Sequence, residues 1–172
     1  MTGSRIDLSP WRPASELIDA LWAVRRSGRK ELEAEVLRLL HHEDPIVREE
    51  AISLLFVKWQ AASQRDRLVD ALRSDSDFGV RSRAAWALAL TCDSNTRQSD
   101  CGILCSIVLN REEDAEVRKA CYEALHRVVR REDVMLEDDL DIDEDIDLKW
   151  VTDFCQSNDS DASDGNSDLG EG

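Results

Sequence analysis

Three segments of this chain are written on one skeleton. The first runs from Asp44 through Val47, Arg48 and Ala51 to Leu55, the second from Asp77 through Val80, Arg81 and Ala84 to Leu88, and the third from Asp114 through Val117, Arg118 and Cys121 to Leu125. The shared frame is Asp-x-x-Val-Arg-x-x-small-x-x-x-Leu. Val47 and Val80 stand 33 residues apart, and Val80 and Val117 stand 37 apart, a period that suits one helix pair and is too long for a hairpin or a heptad. An Asp immediately before an apolar-periodic run accepts from the free amides of a first helical turn, and Pro45 occupies a position where a helix needs no N–H. Residues 44, 77 and 114 are therefore predicted helix starts. Val, the small residue and Leu then recur at i, i+4 and i+8, which is one stripe of an α-helix. A lone helix cannot bury such a stripe, so each copy needs a partner helix and a neighbouring copy.

The frame resembles the HEAT repeat in its short, phycobilisome-lyase-type form, over roughly residues 29–131. The resemblance implies an all-α chain, a short α-solenoid of about three HEAT-like helix pairs plus an N-terminal helix, with an acidic C-terminal tail. It also implies that each Asp-x-x-Val-Arg lies at the turn into the second, or B, helix. On that basis Arg48, Arg81 and Arg118 pair with turn aspartates of their own or neighbouring repeats, and Asp44, Asp77 and Asp114 belong to the same structural ladder.

Hydrophobic content of 42%, with only three prolines and seven glycines, agrees with one small helical domain. The charge is unevenly placed: residues 132–172 carry sixteen acidic side chains and one basic one, Lys149, while 1–131 carry twenty-one of each sign. Nonspecific nucleic-acid binding needs a clustered positive surface and is not expected. Nor is a membrane span, since no apolar run reaches 18 residues. The N-terminus lacks an apolar leader, which places the expected location in the cytoplasm. The five cysteines fall mostly at apolar helical positions and read as reduced thiols.

The chain divides by pattern into an N-terminal arm (1–14), a repeat domain (15–131), an acidic segment with a short capping helix (132–156) and a disordered tail (157–172). Within the repeat domain a first helix spans about 15–26, and the pairs span about 29–62, 64–92 and 99–131. The first B helix is expected from Asp44 to Trp59. The polar run Cys92 to Ser99 accounts for the longer second period, either as a contact loop or as a neutral insertion.

Comparing copies within the chain singles out Trp86. Its slot holds Ser53 in the first copy and Glu123 in the third, so it is expected to face water, and an exposed Trp beside Arg has hot-spot composition. Trp86, Arg83, Lys119 and Arg127 are the candidate partner-binding row on the concave B-helix face. The alternative is that Trp86 packs as peripheral core. In the acidic segment Trp150 and Phe154, spaced i, i+4, are further candidates. That segment reads as a cap over the last repeat, as a motif for another protein, or as a polyanion competing for the basic row.

No phosphate loop, nucleophile elbow or H-E-x-x-H occurs. Cys101 and Cys105 share a helix face, but buried thiols are ordinary small hydrophobes and no metal is expected. The iron-binding branch of HEAT-like hydroxylases places His-Glu pairs after the Val-Arg, where this chain has Glu49-Glu50, Ser82-Arg83 and Lys119-Ala120. A noncatalytic protein-binding module with no cofactor is therefore expected, of a bacterial inhibitor or immunity type suited to a basic target. A phycobilin-lyase-like accessory or chaperone holding a tetrapyrrole is the alternative.

Overall fold

The computed structural model describes residues 6–129 and 141–163, without the side chains of 158–163. Every regular element among them is helical. The chain divides at Thr91/Cys92 into two compact units, and the break falls at the start of the polar run that lengthens the second period.

The first unit holds five helices. α1 (Ala14–Ser27) stops at Gly28, whose φ of 67° is open to a residue without Cβ and whose N–H donates to the Val24 carbonyl at 2.9 Å. A single 3₁₀ turn, Lys30–Leu32, leads into α2 (Glu33–Leu39). α3 (Pro45–Ile52) begins where the sequence dictates, because Asp44 Oδ1 accepts from the amides of Ile46 at 2.9 Å and Val47 at 3.4 Å. α4 (Arg65–Ser74) and α5 (Phe78–Thr91) form the second pair, and Asp77 Oδ1 accepts from the Val80 amide at 3.1 Å. α1 and α2 pack on α3, α3 packs on α5, and α4 packs on α5.

Beyond Ile52 the first B helix departs from its expected winding. Ser53–Lys58 form a π-helical segment, with the Trp59 amide donating to the Leu54 carbonyl at 3.0 Å. The wider turn lets Leu54, Leu55, Phe56 and Trp59 all turn inward. Gln60, at φ 53°, then breaks the helix.

The second unit holds α6 (Arg97–Leu109), α7 (Ala115–Val129) and α8 (Leu148–Ser163). Asp114 and Asp147 cap α7 and α8 through the Glu116 and Trp150 amides, at 2.9 and 2.8 Å. α6 packs against both α7 and α8. α8 runs on to Ser163, past Ser157 where composition argued for disorder; the expectation for 164–172 lies outside the described residues, as do 1–5 and 130–140.

The shared stripe explains the packing. Val47, Ala51, Leu55, Val80, Ala84, Leu88, Val117, Cys121 and Leu125 are all completely buried. Burying each large member stabilises the fold by about 1.5–3 kcal/mol, while the small middle residue admits a neighbouring helix. Close approach is tightest at Gly79, where a Cβ would come within 2.8 Å of Glu49 Oε1 across the α3/α5 contact.

Candidate interaction surface

The repeated arginines are positioned from below by the helix starts, because the residue following the frame's Val points back over the preceding turn. Arg48 forks onto Asp75, Nε to Oδ2 at 2.8 Å and Nη2 to Oδ1 at 2.6 Å, and its Nη1 donates to the carbonyls of His42 and Glu43. Both side chains of this ion pair are 10% exposed. The carboxylate holds the Arg48 guanidinium above its ordinary pKa, against the burial that would lower it. Arg81 Nη1 donates to the Asp75 carbonyl at 2.7 Å. Arg118 repeats the arrangement in the second unit: Nε donates to the Val108 carbonyl at 2.9 Å, and Nη1 and Nη2 reach Asp143 at 3.3 and 2.7 Å. Asp75 precedes α5 and Asp143 precedes α8, so each fork holds the turn before a following helix. Sequence comparison marked the arginines but not these two aspartates, which stand outside the repeated frame.

On α5, Arg83 is exposed and Trp86 half-buried. Arg83 Nε lies 3.8 Å from Glu49 Oε2 on α3. Burial raises the Glu49 carboxyl pKa, and the Arg83 charge partly offsets that rise. Arg83 and Glu49 thus link α5 to α3 through a loose ion pair, with Trp86 one turn after Arg83 on the same helix.

The water-facing slot inferred from the repeat comparison needs correction. Ser53 and Glu123 are buried, 8% and 9% exposed. In the first copy Ser53 is still in α-helical register, its amide bonded to the Glu49 carbonyl, so its slot faces neighbouring helices there and not water. In the third copy every residue from Val117 to His126 is buried. Lys119 is accordingly buried, its ammonium 3.2 Å from Glu116 Oε1, and Arg127 is half-buried. Arg83 and Trp86 belong to the first unit, Lys119 and Arg127 to the second.

Trp150 and Phe154 lie within an aromatic cluster. The Trp150 ring sits 4.6 Å from His126 and 6.1 Å, edge-on, from Tyr122, both on α7, and 6.0 Å from Phe154. The described part of the acidic segment therefore covers the flank of the third helix pair, with Val151 completely buried and Ile142 nearly so. Arg118 holds the Asp143 carboxyl below its ordinary pKa.

Cys101, Cys105 and Cys121 are buried thiols, while Cys92 and Cys155 are half-buried. Burial pushes Cys92 and Cys101 up to about 11, and Cys121, wholly enclosed, is pushed up too. No helix among the described residues is long and apolar enough to cross a membrane.

Comparison with known proteins agrees with this architecture. The family model for HEAT repeats matches twice, over residues 9–89 and 38–126, and the two matches together span all three copies of the frame. No curated protein and no solved structure matches the chain. With three capped helix starts, their buried stripes and a family match over more than half its length, this chain is a member of the HEAT repeat family.

Proposed function

We propose that the chain is a noncatalytic module that captures another polypeptide on the strip formed by α3 and α5, with Trp86 and Arg83 as its main contacts. HEAT repeats generally mediate protein–protein interaction, and the family is typically a scaffold. The observation that carries the reading is Trp86: it is half-buried between completely buried Ala85 and Ala87, with exposed Arg83 one turn before it. An aromatic ring held firmly at its base, beside an exposed Arg whose loose 3.8 Å pairing with Glu49 could be exchanged for a partner carboxylate, has the makeup of an interface anchor. The charge of the chain, −15, favours a basic partner of the kind an inhibitor or immunity protein would neutralise, with Arg83 meeting an acidic spot within it.

The test is quantitative capture from cells of the source organism by the immobilised full chain, with Trp86→Ala and Arg83→Glu alongside. Both variants are expected to lose the same captured polypeptide by at least about tenfold, because central aromatic and Arg contacts often exceed 2 kcal/mol. The melting temperature of Trp86→Ala is expected to stay within about 3 °C of the parent. A large drop in melting temperature, or capture unaffected by either change, contradicts the proposal. Titration with a bilin, watched for a shift of its visible band, separates this reading from tetrapyrrole carriage.

A further inference from the structure

The α3/α5 contact brings a carboxylate to Arg83. Glu49 reaches from α3 until its Oε2 stands 3.8 Å from Arg83 Nε, near enough for charge attraction and too far for a hydrogen bond. It lies over Gly79, where α5 has no side chain: a Cβ there would come within 2.8 Å of Glu49 Oε1 and 3.1 Å of Asp77 Oδ1. The two carboxylate oxygens are therefore no further apart than the sum of those distances. Asp77 is fixed in that place, because the same oxygen accepts from the Val80 amide at the start of α5. Glu49, at the end of a longer side chain that is 27% exposed, is the one able to move.

Glu49 is thus a partly buried carboxylate, crowded by a like charge, with a loosely held cation beside it. Burial is the largest cause of its raised pKa, and the charges that act on it are Arg83, which lowers it, Asp77 and Glu50, which raise it, and Arg48, which lowers it. These four come from α5, from the turn before it and from α3 itself; α1, α2 and Ser53–Lys58, which also pack on α3, contribute none of the four. Arg48 is committed to Asp75. Arg83 is therefore the cation whose loss Glu49 feels most.

We propose that Glu49 is an internal competitor for Arg83: an acidic side chain of the partner takes the guanidinium only as Glu49 gives it up, so capture on α3/α5 tightens as Glu49 gains a proton. This rests on the α3/α5 reading and adds to it what regulates the site. Exchange sets the direction of the effect. With a partner carboxylate on Arg83, Glu49 loses an offsetting charge and gains a like one, so it holds its proton more firmly in the complex than in the free chain. Binding then takes up protons, and affinity rises as pH falls toward the carboxyl range. Gly79 is the positioning residue, because its missing side chain is what lets Glu49 lie across α5.

Sodium benzoate is the probe, a carboxylate that makes no demand on the shape of a partner, and benzamide is its uncharged counterpart. Each is titrated into the isotope-labelled full chain at constant ionic strength while the Arg83 Nε–H and Trp86 indole resonances are followed, at about pH 7 and about pH 5.5, both above the ordinary carboxylate range. Benzoate is expected to shift the Arg83 resonance and benzamide not. Its affinity is expected to rise about two- to fivefold at the lower pH, the range open to a partly exposed ion pair. Glu49→Gln removes the competing charge, and Gly79→Ala pushes the carboxylate off α5 without changing any charge. Each is expected to bind benzoate at the higher pH as tightly as the parent does at the lower, and in Glu49→Gln the pH dependence disappears. Arg83→Gln is expected not to bind. Capture from cells is then repeated at the two pH values, where the parent is expected to retain more of the Trp86-dependent polypeptide at the lower one and Glu49→Gln equal amounts at both. Benzoate affinity unchanged by both Glu49→Gln and Gly79→Ala overturns the competitor, as does a pH dependence that persists in Glu49→Gln. Trp86-dependent capture that is equal at both pH values, or stronger at the higher, overturns it too while leaving the α3/α5 strip in place. Capture indifferent to Trp86→Ala and Arg83→Glu contradicts the strip itself, and the proposed regulation falls with it.

Discussion

Arg48 shows how a side chain chosen by the repeat acts beyond its own helix. Its guanidinium forks onto the Asp75 carboxylate, which also accepts from the Asp77 amide, and donates to the carbonyls of His42 and Glu43. Arg48→Ala leaves Asp75 as a nearly buried, uncompensated charge, so a loss of about 3–5 kcal/mol is expected in urea unfolding. Arg48→Lys is expected to recover little, since one ammonium cannot fork onto two oxygens and reach the turn carbonyls as well. Ser82 is the reverse case: its hydroxyl is enclosed without a hydrogen-bond partner on α5. Ser82→Ala is expected to stabilise the chain by up to about 1 kcal/mol, by removing the unsatisfied group and improving helix propensity. The thiols give a third check. With Cys101 and Cys121 buried and held above the ordinary thiol range, alkylation of these two at pH 7.5 is expected only after denaturant is added, as read by intact mass and peptide mapping.

At the scale of elements, the attachment of α8 depends on pH. Asp143 precedes it and is held by Arg118, which depresses the Asp143 carboxyl pKa. A depressed carboxyl contributes stability fully above its unfolded pKa, ordinarily about 3.9, and loses it as pH falls through the lower folded value. Acid titration of near-ultraviolet circular dichroism, which senses the Trp150 stack with Tyr122 and His126, is expected to show a step below about pH 4. Asp143→Asn is expected to flatten that step and to speed proteolysis ahead of α8. The helix starts and buried stripes were legible from sequence because capping and i, i+4 burial are local rules. The π-helical winding after Ile52 was not, since Leu54, Leu55, Phe56 and Trp59 read as apolar under either winding. Nor was the burial of Lys119 and Glu123: periodicity assigns them to a polar face, while the packing of the second unit encloses nearly every side of α7.

For the molecule as a whole, charge and repeat architecture divide the roles. The repeat segment is near neutral, and the net −15 resides beyond residue 131, which is why composition alone could not indicate a partner-binding face. Family membership followed from three copies of a short frame; the strip at Arg83 and Trp86 was only partly legible, because internal comparison finds an unusual residue but not what surrounds it. Hydrogen–deuterium exchange of the full chain with and without its captured polypeptide tests the account most directly. Added protection is predicted in peptides covering Glu49–Ser53 and Ser82–Trp86, with the helix starts at Asp44, Asp77 and Asp114 protected in both states. Protection confined to peptides beyond residue 141, with α3 and α5 unchanged, would contradict it.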